Sequence, residues 1–372
     1  MFERVSAFLE QNIPDPRIPG VDLLIYHKGK LIYRKQVGCS DYFMTEPVTN
    51  DHYYYLYSCS KVMTTAAVMS LIEAGKIGLD APVATYLPAF AELRMEDGSK
   101  PETVLTVRHC MTMTGGLDYN LKASGILETL RKDPDADTVK VVSAIARSSL
   151  HFEPGSDYLY SLCHDVLAAI VCVVTGKSFE QYLKEWLWEP LGMKDIAFQP
   201  TEKSRAHMAA HYDLNSDKTH VVNRGNNCPY ILSPRYESGG AGIICRAEEY
   251  GKFLAAIATK GNPFLKPETI DLWRTPQLSG QPLERFQMAK RFKPFNYALG
   301  VRVVTDSELA GGHTPEGVFG WDGAAGSHAL IDPENELAIW YVQHVCGCSY
   351  AYDTFFPKLR NLIYEQFNSE NL

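Results

Sequence analysis

The chain contains one Ser-x-x-Lys, at Ser58-Cys59-Ser60-Lys61, and it falls where an extended run turns into a helix. Tyr53-Tyr54-Tyr55-Leu56-Tyr57 before it is aromatic and strand-like. Lys61 to Ala74 after it reads as helix, with Val62, Ala66, Met69 and Ile72 on one apolar stripe. Positions three apart on a first helical turn share a face, so the Ser58 hydroxyl and the Lys61 amine are expected within hydrogen-bond reach. A serine hydroxyl needs a neighbouring base to become a nucleophile. A lysine serves as that base only where desolvation or nearby charge lowers its pKa. Taken alone, the same spacing also describes a helix-capping serine followed by a solvated lysine.

Two further segments bear on that choice. Phe152-Glu153-Pro154-Gly155-Ser156-Asp157-Tyr158-Leu159-Tyr160-Ser161-Leu162 runs into a helical stretch, Asp165 to Thr175, closed by Gly176. Gly320-Trp321-Asp322-Gly323-Ala324-Ala325-Gly326-Ser327 runs into an apolar strand, Ala329 to Ile331, and the turn Asp332-Pro333. In this order the three segments resemble the signatures of the serine β-lactamase and penicillin-binding-protein superfamily: Ser-x-x-Lys, then Tyr-x-Asn or Tyr-Ser-x, then Lys/His-Thr-Gly. Leu105 to His109 with Thr114-Gly115-Gly116-Leu117, and Glu237 to Gly242 with Glu248-Glu249-Tyr250, resemble the family's connecting stretches. The similarity runs over roughly residues 18 to 345.

The departures are as informative. Tyr160-Ser161-Leu162 puts leucine where β-lactamases carry the asparagine beside the substrate amide. Trp321-Asp322-Gly323 offers no lysine, histidine or threonine for a β-lactam carboxylate. Both features are similar to the family's carboxylesterase branch, class C-like in its relationships. A tryptophan there suits an apolar acyl group or alcohol rather than an anion. The resemblance implies an α/β (α+β) fold, an antiparallel sheet flanked by terminal helices with an inserted, mostly helical domain. It implies Ser58 as the acyl-accepting nucleophile, with Lys61 and Tyr160 as one proton-handling pair. A phenol near cations is expected to have a lowered pKa, and which of the two is the base stays open. The backbone N–H groups of Ser58 and Ala324 are the implied oxyanion hole, and Leu162, Trp321, Asp322 and Gly323 the implied substrate contacts. No cofactor and no metal are called for.

Composition narrows the remaining classes. A net charge of -8, without a Lys/Arg stripe, argues against nucleic acid as a partner. The longest apolar run, Val166 to Val174, is far short of the roughly 20 residues a bilayer span needs, so no membrane partner is expected. The first residues read as an amphipathic helix (Phe2, Val5, Phe8, Leu9), and no secretory signal is expected. Nine cysteines without a repeating spacing add to an expectation of a reducing, cytoplasmic setting.

Strands are expected at Val21 to Tyr26, Lys30 to Val37, Tyr297 to Val303, Ser327 to Ile331 and Leu337 to Gln343, and a closing helix at Tyr352 to Phe367. The expected division is an α/β sheet domain of residues 1–79 plus 235–372 and a helical insertion of 80–234, with the site between them. Three patterns are set aside. Cys163-His164-Asp165 has thiol-protease residue types, but adjacent helical residues point apart. His344-Val345-Cys346-Gly347-Cys348 has no second ligand pair for zinc. His313-Thr314 is followed by Pro315 where a glycine is required. The leading expectation is a serine hydrolase acting on a small-molecule ester or amide through a Ser58 acyl-enzyme. The alternatives are a β-lactamase or D-alanyl-D-alanine peptidase with Arg302 or His328 as carboxylate anchor, an acyltransferase, and a non-catalytic binding protein of the same fold.

Overall fold

A computed structural model describes residues 2–225, 228–259 and 263–369. Its centre is a seven-stranded sheet. The strands are β1 (Gly20–His27), β2 (Lys30–Gly38), β3 (Phe295–Tyr297), β4 (Arg302–Val304), β5 (Phe319–Asp322), β6 (His328–Asp332) and β7 (Leu337–Val342). They lie in the order β2-β1-β7-β6-β5-β4-β3, each pair antiparallel. Both ends of the chain therefore meet in one sheet, through the pairing of β1 with β7.

The sequence of β7, Leu-Ala-Ile-Trp-Tyr-Val, is apolar at every position because both faces of the sheet are covered. Successive side chains point to opposite faces. Trp340 packs on Tyr250 of helix α4 (Ala247–Ala258), with ring centroids 4.5 Å apart. Tyr341 faces the other way, toward Phe355 and Phe356 where the closing helix α5 (Phe356–Ser369) begins. The amino-terminal helix α1 (Glu3–Asn12) lies against α5 on that face, where Gln366 accepts from the Val5 amide. Helix α4 comes so close to β1 that a Cβ on Gly251 would sit 2.7 Å from the Tyr26 ring.

Helix α2 (Ser60–Glu73) carries the Ser-x-x-Lys lysine and packs on α3 (Cys163–Thr175). The expected single apolar stripe on α2 is replaced by burial all round: every residue from Ser60 to Met69 is buried. The expected strand 297–303 is a hairpin instead, β3 and β4 joined by a turn at Ala298 to Val301. Gly300 causes the break. Its φ is +74°, its amide donates to the Met111 carbonyl, and a Cβ there would collide with Thr65.

Trp340 joins sheet and helix at the middle of the core, so Trp340→Ala should cost about 3–5 kcal/mol in urea unfolding. A loss below about 1 kcal/mol would show that α4 does not depend on this contact.

Candidate active site

The strand Tyr53–Tyr55 pairs with Ile244–Arg246 and delivers the chain to a tight turn, Tyr57–Cys59, that leads straight into α2. Tyr57 has φ +49°, a left-handed conformation uncommon for a bulky residue. Burial of its ring and a 3.0 Å hydrogen bond with His211 hold it there. The turn leaves Ser58 half-buried at the edge of a cavity of about 370 Å³.

Lys61 is fully buried, and its Nζ has three partners: Ser58 Oγ at 3.1 Å, Tyr119 OH at 3.2 Å and the Gly240 carbonyl at 2.6 Å. Burial drives its pKa down to about 7; the Asp165 carboxylate works against that shift without cancelling it. Once the amine gives up a proton, its lone pair is free to take the hydrogen of the Ser58 hydroxyl while its two N–H groups still reach Gly240 and Tyr119.

Gly240 is held in turn by Asp165. One carboxylate oxygen accepts from Tyr236 OH (2.7 Å), Ser238 Oγ (2.6 Å) and the Gly240 amide (3.4 Å). A Cβ on Gly240 would lie 2.6 Å from the second oxygen, so only glycine fits that crossing. Asp165 thus fixes the carbonyl that orients Lys61. Within Cys163-His164-Asp165 the side chains do point apart: His164 meets Thr65 on α2, while Asp165 meets the 236–240 segment.

Tyr160 stacks between Tyr119 and Trp321, at 5.6 and 5.7 Å, and accepts a hydrogen bond from the Trp321 indole N–H at 3.0 Å. The Lys61 amine stands 4.7 Å from the centre of its ring. The expected lowering of the Tyr160 pKa is reversed. Burial pushes the phenol well above its ordinary value, and hydrogen bonds from Ser58 and Trp321 offset only part of this. At neutral pH Tyr160 therefore carries its proton, and Lys61 is the group poised to accept one.

Trp321, Asp322, Gly323 and Ala324 all line the Ser58 cavity. A Cβ on Gly323 would lie 2.5 Å from the Leu56 carbonyl, so glycine is what lets the end of β5 approach the Ser58 turn. The Ala324 amide donates to no protein acceptor among the described residues. It is available to an oxygen in the cavity. Leu162 is a correction: it is buried as the residue preceding α3, its amide on the Asp118 carbonyl, and does not line the cavity.

Arg302 and His328 are a second correction. Both are tied to Asp322, Arg302 through two hydrogen bonds and His328 through its Nδ1 at 2.7 Å, so neither is a free carboxylate anchor. Burial disfavours charge on Asp322, but Arg302 and His328 outweigh it and hold the carboxyl well below the usual carboxylate range. The cation that does line the cavity is Arg291, exposed and 3.7 Å from Asp353. Tyr119, Asp165 and Arg291 were not marked by the sequence. Tyr119 lies two residues past the Gly115-Gly116-Leu117 turn, and Asp165 three residues past Tyr160-Ser161-Leu162, but neither position by itself points to the site. His344 uses both ring nitrogens on backbone groups, Tyr55 N–H and the Ala209 carbonyl. Among the described residues no cluster of three His, Cys, Asp or Glu side chains is placed to hold a metal.

A Ser–Lys–Tyr cluster with a buried lysine, beside the end of β5 in an antiparallel sheet flanked by helices, defines a serine hydrolase of the β-lactamase and penicillin-binding-protein fold. The sequence profile of the Beta-lactamase family matches residues 5–344, and the chain belongs to that family. It is similar to Esterase EstB of Burkholderia gladioli, 29% identical over 90% of this chain and 88% of that protein. It is also similar to Acyltransferase calJ of Penicillium decumbens, 27% identical over 87% of this chain and 84% of that one. Among solved structures, EstCE1, described as a hydrolase with promiscuous acyltransferase activity, superposes with TM-score 0.81 at 25% identity, over 97% of this chain and 98% of its own.

If Lys61 accepts the Ser58 proton, labelling of Ser58 by a fluorophosphonate should accelerate as pH rises through about 7 and level off above it. Below that pH the amine is an ammonium and has no lone pair to offer. Lys61→Met should slow labelling at least about a hundredfold and abolish the inflection. A flat profile from pH 5 to 9 would rule out a lysine base.

Proposed function

We propose that the protein is a carboxylesterase that cleaves small, neutral esters through an acyl-enzyme on Ser58. The observation that carries this reading is the Lys61 amine, buried, near neutrality in pKa and 3.1 Å from the Ser58 hydroxyl. In the proposed reaction neutral Lys61 takes the Ser58 proton as Oγ attacks the ester carbonyl. The Ser58 and Ala324 amides receive the oxyanion, an interaction worth several kcal/mol of barrier. Tyr160 gives its proton to the departing alkoxide, and the proton held by Lys61 replaces it. Water then attacks the acyl-enzyme by the same steps in reverse order of roles, releasing the acid and restoring Ser58.

The walls of the cavity favour a neutral ester over a β-lactam. Tyr158, Tyr160, Phe292 and Trp321 present aromatic surface. Asp322 presents a carboxylate already committed to Arg302, and Arg291 is a solvent-screened cation paired with Asp353. A β-lactam carboxylate would be desolvated against this wall with no buried cation to meet it. The similarity to both an esterase and an acyltransferase supports a second outcome for the same intermediate, in which an alcohol replaces water as the acyl acceptor.

Turnover of p-nitrophenyl butyrate should exceed that of a chromogenic cephalosporin by at least about a hundredfold in kcat/KM, equivalent to roughly 3 kcal/mol of differential transition-state binding. Efficient cephalosporin hydrolysis with negligible ester turnover would overturn the esterase reading. Lys61→Met and Tyr160→Phe should each remove most of the ester turnover, and the double variant should lose far less than the product of the two factors. Multiplicative losses would show that the two residues act independently.

A further inference from the structure

A second cavity, of about 570 Å³, lies behind the Trp321-Asp322 strand, between it, the 289–295 segment and α5. It shares Arg291, Asp322 and Tyr352 with the Ser58 cavity. Its inner wall has an unbalanced charge. Arg302 and Arg360 are both more than nine-tenths buried, their guanidinium carbons 4.9 and 5.9 Å from the centre of the same Phe295 ring. Asp322 is the one carboxylate among the buried residues of that wall, and Arg302 occupies both of its oxygens. Arg360 is left with a single hydrogen bond, from Nη2 to the Ala310 carbonyl at 2.6 Å, and its buried Nε has no partner among the described residues.

His328 does not redress the balance. Its Nδ1–H donates to Asp322, burial lowers its pKa, and the neutral ring stacks on Phe356 at 3.5 Å. Burial and the Arg302 charge pull the Arg360 guanidinium down to about 10, which still leaves it a cation at neutral pH. Lys290 and Arg291 stand at the exposed rim against one acidic group, Asp353. A buried cation without an anion is costly, and a monoanion is the charge that neutralises this wall. Phe295, Phe356, Pro294 and Leu309 supply apolar surface beside it.

We propose that this cavity binds the carboxylate of a small apolar monocarboxylic acid, with the carboxylate on Arg360 and the hydrocarbon against Phe295 and Leu309. The site lies next to the Ser58 cavity, so the carboxylate belongs either to a free acid or to the far end of an ester substrate. Reading it as a substrate's far end rests on the esterase proposal and extends it from neutral esters to esters with a carboxylate at the end remote from the reacting carbonyl. Binding itself does not.

Isothermal titration with octanoate tests the binding without turnover. Wild-type protein should bind octanoate saturably, with uncharged octanamide at least tenfold weaker. Arg360→Gln and Leu309→Trp should each weaken octanoate at least tenfold. Leu309 is 62% exposed and lines this cavity but not the Ser58 cavity, so its replacement blocks the site without disturbing the buried charges. Octanamide binding as tightly as octanoate, or octanoate binding unchanged by Leu309→Trp, would overturn the proposal. The two sources are then told apart by KM. A lower KM for the monomethyl ester of octanedioic acid than for methyl octanoate, lost in Arg360→Gln, assigns the carboxylate to the substrate. Equal KM values with octanoate still bound assign it to a separate acid. Failure of both esters to turn over while octanoate binds would sink the esterase reading and leave this site standing.

Discussion

The placement of one primary amine in a dry pocket organises the rest of the structure around Ser58. Lys61 lies on a helix buried on every side, and the groups that meet its amine come from three distant parts of the chain: the Ser58 turn, Tyr119 and Gly240. All three are oxygen atoms that accept from the amine, and only its neutral form has a lone pair with which to take the Ser58 proton. Keeping this amine neutral lowers stability at neutral pH. The unfolded chain holds the proton more tightly than the folded one, so this group's contribution improves as pH climbs from about 7 toward the ordinary lysine value. A fold under selection for stability alone has no reason to keep such a group, which is why it points to chemistry.

The surroundings turn that amine into a directed one. Asp165 anchors Tyr236, Ser238 and Gly240, and Gly240 in turn positions the lysine. From the sheet side, Gly323 allows β5 to close on the Leu56 carbonyl, which brings Trp321 against Tyr160 and places the Ala324 amide at the cavity. The stack of Tyr119, Tyr160 and Trp321 gives the cavity an apolar wall with one hydroxyl in it. Behind that wall, Asp322 faces Arg302 and His328 rather than the substrate side alone, and so separates an aromatic cavity from a cationic one.

Much of this was legible in the sequence, and the parts that were not share a cause. Ser58 and Lys61 were readable because a helical turn fixes their relation locally, and the order of the three motifs placed Tyr160 and Trp321 near them. The strands of the sheet were readable from runs such as 337–342. Tyr119 and Asp165 were not, because their meeting with Lys61 and Gly240 depends on how α2, α3 and the 236–242 segment cross, and one tyrosine among 21 carries no mark. Leu162 was misplaced because the start of α3 turns it into the core, a change of direction that two residues of spacing from Tyr160 do not reveal. The split of 297–303 turned on Gly300, whose contacts with Met111 and Thr65 are likewise tertiary. The lowered phenol pKa expected for Tyr160 failed because burial outweighed the hydrogen bonds from Ser58 and Trp321.

Catalysis by the Ser58–Lys61 pair depends on the protonation state of Lys61. Protein labelled with carbon-13 at the lysine ε position, compared with Lys61→Met, isolates this one signal in a pH titration by nuclear magnetic resonance. A midpoint near 7, well below that of an ordinary lysine, is expected. A midpoint near 10 would mean that Lys61 is an ammonium throughout the physiological range, and that Ser58 must find its base elsewhere.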